Sequence, residues 1–335
     1  MLEIDGSHGE GGGQILRTSL ALSCVTRKGF KINNIRKNRS NPGLSHQHLK
    51  SVELMSELTN AEIEELELRS TELKFKPKNK PKGEIEIDIG TAGSICLLLQ
   101  CILPTLTVAE DEINIKVKGG TDVKWSPPVD YFKNITVYIL NKIGIKADIK
   151  TKKRGYYPKG GGLVEFRGKP SEVKQFDFSD NQSPEKIKGV SYVSNLPEDI
   201  AHRQKKSAED ILDKYKKDII VKKFEAIGKG TGIVLWTKNG LPLGSSSLGE
   251  PGKPAEEVGS EAAENLITEI KRNGAVDRYM GDQLVPFAGL SGNSRYKTTQ
   301  LTQHTLTNAW VVERFLDINY KIKGNKGKEA LIEVN

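Results

Sequence analysis

Four short segments hold the residues whose types and spacing could do chemistry. The first is Ser7-His-Gly-Glu10-Gly-Gly-Gly-Gln-Ile-Leu-Arg17, set between a predicted strand and a predicted helix. Its glycines let backbone N–H groups come close to a ligand, and the N-terminus of a helix favours anions. No Gly-Lys-Ser/Thr follows, and the glycine spacing is not that of a dinucleotide fingerprint. Glu10 in such a loop would repel phosphate unless a divalent cation stood between them. Arg17 is within reach from the helix. The plain alternative is a glycine-rich turn in which Glu10 complements the helix dipole.

The second segment runs from Arg36 through Arg39 to Gln47 and His48, with three basic side chains in a loop and amides and imidazoles at a helix start. Arginine forks bind phosphate in two-point fashion, so an anion or nucleic-acid contact is plausible beside the reading as a solvated loop. His46 and His48 face different ways on a helix, which argues against a metal pair. The third segment, Gly119-Gly-Thr-Asp-Val-Lys-Trp125-Ser-Pro-Pro128, offers an aromatic and a rigid Pro-Pro that could wall a planar base, or simply a loop and a helix-starting proline. The fourth pairs Tyr279-Met280-Gly281-Asp282-Gln283 with Gln300-Leu-Thr-Gln-His304-Thr-Leu-Thr-Asn308. His304 stands just before a predicted helix, with Thr305 or Thr307 as its cap. An imidazole near the positive end of a dipole favours its neutral, nucleophilic form. A lone histidine is more often structural, and no Ser/His/Asp order of known type is present.

The elements that must position these residues follow an alternating order. Strand Leu2–Ile4, helix Gly11–Cys24, strand Phe30–Ile35, helix Leu44–Leu58 and strands Ile63–Leu68 and Glu72–Phe75 make one unit. The order returns in Gly83–Ile89, Ile95–Leu106, Glu112–Val117, Pro128–Ile143, Ile145–Ile149 and Leu163–Phe166. A third copy emerges when residues 182–272 are set aside: Phe176–Phe178, helix Val276–Leu290, strand Ser294–Thr298, helix Thr305–Phe315, and strands Ile318–Ile322 and Ala330–Val334. The expected architecture is α/β, with three βαβαββ repeats forming a core of residues 1–181 and 273–335 and a small inserted α+β domain at 182–272. Within the insert, helices near 203–215 and 255–270 and a strand at Gly232–Thr237 are expected. Cys96 and Cys101 fall on the apolar helix Ile95–Leu106 as core residues, with Gln100 its polar exception.

The chain has 335 residues, 36% hydrophobic and 28% charged, which fits a globular protein of about two domains. It has no run of ~18 apolar residues and no secretory leader pattern, and its three cysteines are too few for a disulfide framework. A cytoplasmic protein is expected. The net charge is +8. The 182–272 segment carries 15 basic and 14 acidic residues, so +7 belongs to the core, where the arginine motifs and the glycine loop lie. A polyanionic partner would account for that asymmetry.

Taken together, Gly9-Glu-Gly-Gly-Gly-Gln-Ile-Leu-Arg17, Ile35-Arg-x-x-Arg39-x-x-Pro-Gly-Leu44, Gln47-His-Leu49, Gly119-Gly-Thr-Asp122, Pro158-x-Gly-Gly-Gly162 and His304-x-x-Thr-Asn308 with Val311-Val-Glu-Arg-Phe315 resemble the RNA 3′-terminal phosphate cyclase family. The resemblance covers essentially the whole chain and is weakest in the insert. It implies ATP-dependent conversion of an RNA 3′-phosphate into a 2′,3′-cyclic phosphodiester through AMP carried on a histidine. Carried over by position, the nucleophile is His304. Glu10 would hold Mg²⁺ or Mn²⁺. Gln100, Pro128, Tyr279, Met280, Gly281, Asp282, Gln283 and Arg17 would form the ATP site. Arg36, Arg39 and Gln47 would meet the RNA 3′ end. Two rivals share the architecture. A catalytically inactive cyclase-like ribosome-biogenesis factor that binds RNA would lack the histidine. A carboxyvinyl transferase would not combine Glu10 with the His304 motif.

Overall fold

Three times along the chain a strand, a helix, a second strand, a second helical stretch and two further strands close a four-stranded sheet. The computed structural model describes residues 1–180 and 183–334. The first set is β1 (Leu2–Asp5), α1 (Gly13–Thr26), β2 (Phe30–Asn33), α2 (His46–Thr59), β3 (Glu62–Glu64) and β4 (Leu73–Lys76). The second is β5 (Gly83–Asp88), α3 (Ile95–Ile102), β6 (Ile113–Gly119), a continuous helical stretch, β7 (Lys146–Lys153) and β8 (Gly162–Lys169). That stretch joins α4 (Val129–Tyr131), a π-helical turn Phe132–Val137 and α5 (Tyr138–Lys142). The third set opens with β9 (Asp177–Phe178). It is then interrupted by β10 (Lys186–Ser194), α6 (Asp199–Ile211), β11 (Lys216–Phe224), β12 (Gly230–Lys238), β13 (Gly244–Leu248) and α7 (Ala255–Lys271). It resumes with α8 (Arg278–Gln283), α9 (Val285–Ser291), β14 (Arg295–Thr298), α10 (Gln303–Phe315), β15 (Tyr320–Gly324) and β16 (Ala330–Val334).

The three sheets have the orders β1-β2-β4-β3, β5-β6-β8-β7 and β9-β14-β16-β15, one pattern repeated. In each, the first pair is parallel and the others antiparallel. A parallel pair needs a long crossover, which α1 and α3 supply in two cases. In the third the crossover holds the inserted sheet, ordered β11-β10-β12-β13. The fold is therefore α/β, three βαβαββ repeats with a small inserted α+β unit. One apolar core runs through the three repeats, while Ile187, Ile219, Ile233 and Leu235 of the inserted sheet make a separate one with Ala208, Val258, Ala262 and Leu266 of α6 and α7. Among the described residues no helix is long and apolar enough to cross a membrane.

Departures from the predicted elements have local causes. The expected boundary between residues 181 and 182 lies outside the described residues. β3 stops at Glu64 because Glu65 turns to φ +64°. The expected single helix 276–290 is α8 and α9, with Pro286 in the first turn of the second. Three inserted strands escaped the apolar pattern: β10, the lysine-rich edge strand β11, and β13, whose Gly-Ser-Ser-Ser reads as turn. Pairing to β12 and the Ser245 Oγ bond to the Ala262 carbonyl at 2.6 Å make β13 a strand.

The second repeat is tied to the inserted sheet by a buried charge cluster. Arg154 Nη1 donates to both carboxylate oxygens of Asp122 at 2.9 Å, and Nη2 reaches Asp130. Tyr192 of β10 donates its hydroxyl to Asp122 at 2.8 Å. The guanidinium lies 4.3 Å from the Tyr192 ring centroid and 4.6 Å from that of Phe224.

Candidate active site

The N-terminus of α10 is capped by Thr302, whose hydroxyl accepts from Thr305 N at 3.0 Å. The cap is thus not Thr305 or Thr307, both of which are buried inside the helix, and His304 sits in the first turn. Its Nε2 is 2.7 Å from Glu10 Oε2 and its Nδ1 3.6 Å from Asp282 Oδ2. Arg39 Nη2 lies 3.6 Å from the same Glu10 oxygen. First and third repeats meet here because the glycine loop can lie directly on α10. Gly9 has φ +58°, and a Cβ there would stand 2.5 Å from Thr307 Oγ1. The loop's one aromatic ring, His8, stacks on Trp310 of α10 with centroids 3.9 Å apart and planes 8° from parallel.

Polar contacts beneath the histidine join three helices. Thr18 of α1 donates to Asn308 Oδ1 at 2.9 Å, and Asn308 Nδ2 donates to the Asp282 carbonyl at 3.1 Å. His304 and Asn308 are four apart and share a helix face, so the bond to α8 orients the face that carries the imidazole. Arg17, a turn into α1, forms no ion pair among the described residues. Burial lowers its pKa against the opposing pull of Cys101 and Asp282. A desolvated guanidinium without a partner favours binding an anion. Two buried atoms at the same junction, Gln14 Nε2 and Thr307 Oγ1, also have no hydrogen-bond partner.

Burial pulls the His304 pKa below its usual 6.5, Glu10 opposes this, and Arg17 and Arg39 add to it. The ring is therefore neutral at pH 7. Burial pushes the Asp282 carboxyl up to about 7, although Gln283 Nε2 donates to it at 2.7 Å and Arg17 is near. An imidazole nitrogen, a carboxyl on each side of it, the unpaired Arg17 and the Glu10-paired Arg39 make an arrangement suited to transfer of a phosphorus group.

A half-exposed aromatic flanks this cluster. Tyr279 of α8 is 55% exposed, and its ring meets Tyr131 edge-on at 6.1 Å. Tyr131 ends the short helix α4, which the buried Pro128 precedes, so its ring contact links the segment that holds Pro128 to Tyr279. The Tyr131 hydroxyl donates to Asp277 Oδ1 at 2.7 Å, and Asp277 caps α8. Met280 is in the core, and Gly281 packs on Thr298 while its carbonyl accepts from Tyr296. These two predicted ATP-site residues shape the segment, and the Met280 side chain has no exposed surface to offer a ligand.

Asp277 makes a pH prediction. Burial, then Glu269, raise its pKa from 3.8 to about 6, against hydrogen bonds that lower it. The folded state holds the proton up to about pH 6, whereas the unfolded chain releases it near 3.8. This favours folding fully below that range, and the contribution is lost as pH rises from about 4 to about 6. Asp277→Asn keeps a capping side chain. It is expected to flatten this part of the stability–pH curve, an effect of up to about 3 kcal/mol. Urea unfolding across that range checks it, and an unchanged slope in the variant contradicts it.

The remaining predicted residues surround the cluster. Arg36, at φ +54°, donates Nη1 to the Gly43 carbonyl at 3.0 Å and braces its own loop. Gln47 Oε1 accepts from Ser94 N at 3.0 Å, tying α2 to the start of α3. Gln100 is half-buried on α3. Trp125, considered as a base wall, is 95% exposed. His48, not chosen from the sequence, is buried, and its Nδ1 takes part in a capping box with Ser45. Burial, Arg17 and Arg36 lower its pKa to about 3. The Ser-x-x-His spacing ahead of the helix was its signal, in a slot usually held by Glu or Gln. Asp277 was legible as an acidic residue at a helix start, but its link to Tyr131 spans 146 positions.

A family model described as RNA 3′-terminal phosphate cyclase matches residues 8–322. A protein named RNA 3′-terminal phosphate cyclase from Pyrococcus furiosus is 47% identical over 338 residues, covering 100% of this chain and 98% of its own. One of the same name from Methanosarcina barkeri is 47% identical, covering 100% and 99%. Another from Archaeoglobus fulgidus is 46% identical, covering 97% and 99%. The chain belongs to the RNA 3′-terminal phosphate cyclase family.

Proposed function

We propose that this chain uses ATP to close an RNA 3′-terminal phosphate into a 2′,3′-cyclic phosphodiester, with AMP carried on His304. The observation behind this is the His304 imidazole, with Glu10 on Nε2 and Asp282 on Nδ1, beside the unpaired Arg17. Family membership and the names of the relatives support the overall reaction. An inactive RNA-binding factor would have no need of that histidine.

His304 Nε2 attacks the α-phosphorus of ATP, the P–N bond forms and pyrophosphate leaves. An oxygen of the RNA 3′-phosphate then takes the AMP, freeing the histidine. The adjacent 2′-OH attacks the 3′-phosphorus and expels AMP. The Asp282 carboxylate, 3.6 Å from Nδ1, favours the tautomer with its proton on Nδ1 and leaves the Nε2 lone pair for attack. Glu10, whose Oε2 is 2.7 Å from Nε2, has to move aside before attack. The depressed pKa keeps the ring unprotonated at neutral pH. Arg17 and Arg39 balance phosphate charge, and the Gln14 and Thr307 side chains hold unused polar atoms against the loop. Tyr279 and Pro128 flank the adenine, with Gln100, Asp282 and Gln283 nearby, while Arg36, Arg39 and Gln47 meet the RNA end. Cyclisation is intramolecular and gains effective concentration. DNA, without a 2′-OH, is not a substrate.

Among the described residues no group of three or more His, Cys, Asp or Glu side chains is disposed to hold a metal unaided. Glu10 fits the mode of Mg²⁺ or Mn²⁺, in which one or two carboxylates share the ion with substrate phosphates. Bound there, the cation would supply charge neutralisation on the phosphates. We assign residues 1–181 and 273–335 to the catalytic core and 182–272 to a separate unit. Three buried free cysteines suit the reducing cytoplasm.

The test is an RNA with a 5′ label and a 3′-phosphate. Incubation with the protein, ATP and Mg²⁺ is expected to make the end resistant to phosphatase, and an end that stays sensitive refutes the function. Arg39→Ala is expected to lower that conversion by roughly 10–100-fold while self-adenylylation stays within about threefold. Equal loss of both would move Arg39 into the ATP site.

A further inference from the structure

The inserted sheet has one face covered by α6 and α7 and one turned toward the second repeat. On the second face, ladder register puts three lysines side by side. Lys186 of β10 is opposite Lys216 of β11 and Lys238 of β12. Partners across a ladder point to the same side, so this is a row of ammonium groups across three strands. At its end lies a cleft of about 640 Å³ between α5, Phe178 of β9 and the β12–β13 hairpin. Tyr138 of α5 lines it, is 38% exposed, and has Lys142 Nζ 5.1 Å and Lys238 Nζ 5.3 Å from its ring centroid. Trp236, two residues from Lys238 on the same face, lines it too.

Carboxylates offset only part of this charge. Asp218 takes Lys186 at 3.0 Å and Lys188 at 3.7 Å, and Asp180 lines the cleft. Lys142, Lys216 and Lys238 form no ion pair among the described residues. Among those residues Lys142 and Lys238 are held only by the Tyr138 ring, with no paired carboxylate to neutralise them. They suit a ligand with both negative charge and flat faces.

We propose that this cleft and lysine row bind the single-stranded body of an RNA, a base stacking on Tyr138 and backbone phosphates meeting Lys142, Lys238 and Lys216. A basic track with an aromatic platform is how single strands are held without sequence preference. The site also shares a helical stretch with Tyr131, the residue that meets the Tyr279 ring. Tyr138 is seven residues beyond Tyr131 on one helical stretch, about 10 Å along its axis from the residue that touches Tyr279. This step rests on the reading of RNA as substrate.

The experiment uses the full chain and the double variant Lys142→Glu/Lys238→Glu, with Tyr138→Ala alongside. A fluorescent single-stranded RNA of about 20 nucleotides ending in 3′-OH, which cannot react, is titrated by anisotropy at several salt concentrations. The double variant is expected to bind roughly tenfold or more weakly, with the log–log salt slope reduced by about 1.4. Tyr138→Ala is expected to weaken RNA at least about fivefold yet leave inorganic polyphosphate unaffected. Self-adenylylation and cyclisation of a 3′-phosphorylated dinucleotide should be unchanged in both variants. Wild-type RNA affinity and slope in the double variant overturn the site. Equal weakening of RNA and polyphosphate by Tyr138→Ala, or unchanged RNA binding in it, overturns the stacking role. If wild-type protein fails to cyclise the 3′-phosphorylated dinucleotide but the variants still differ in binding, the catalytic reading fails and the site stands.

Discussion

His304→Ala is expected to reduce ATP-dependent cyclisation of a 3′-phosphorylated RNA by at least about 10⁴-fold, because a covalent route has no substitute for its nucleophile. The neighbouring groups cannot take over. Glu10 and Asp282 are carboxyls, and an acyl-adenylate formed on either would need a geometry opposite to the one that now points both at the imidazole. The fold should survive. His304 is 41% exposed, and α10 is capped by Thr302 and anchored by Asn308, neither of which the substitution touches. Circular dichroism and thermal unfolding would confirm an intact fold in the same preparation. Cyclisation retained within tenfold would remove His304 from the chemistry.

Arg154→Met is expected to lower stability by about 3–5 kcal/mol, the usual result of removing one partner from a buried ion pair. The Asp122 side chain is 0% exposed and that of Asp130 20%. Without the guanidinium, two nearby carboxylates would face each other with little water. Methionine restores much of the volume between the Tyr192 and Phe224 rings but none of the charge. Because Tyr192 and Phe224 belong to β10 and β11, the loss falls where the inserted sheet meets the second repeat. Replacing both aspartates with asparagine in the Arg154→Met background is expected to recover a large part of the loss. Chemical denaturation at neutral pH gives both values. A drop below 1 kcal/mol in the single variant would mean that the cluster contributes fit and not stability.

The repeat pattern was readable because each unit alternates apolar and charged residues in short strands, as in Ile85, Ile87 and Ile89, and punctuates them with glycine and proline. The candidate site residues were readable through motifs: Glu10 stands in a run of glycines, and His304 in Gln-His-Thr-Leu-Thr-Asn. Their meeting was not. Glu10 and His304 come from opposite ends of the chain, and the 2.7 Å contact depends on the glycine loop lying against α10. Asp282 was placed near adenine from its motif, while the structure puts its carboxylate 3.6 Å from the histidine ring. Gln47 and Arg36 read as free polar side chains, yet each already holds a backbone group of the scaffold. The insert hid most, since β11 spells Lys-Lys-Asp-Ile-Ile-Val-Lys-Lys-Phe and its pairing with β10, not its hydrophobicity, makes it a strand. The insert's net charge of +1 concealed that Lys186, Lys216 and Lys238 share one face.

The most direct measurement of covalent AMP transfer uses the unmodified protein and two samples of ATP, one labelled at the α-phosphate and one at the γ-phosphate, with Mg²⁺ and no RNA. The expected result is label on the protein from the α-position alone, stable to alkali, released by acid as AMP, as befits a P–N bond to histidine, and discharged when 3′-phosphorylated RNA is added. Absence of α-label, or label arriving from the γ-position, would contradict a histidine that attacks the α-phosphorus.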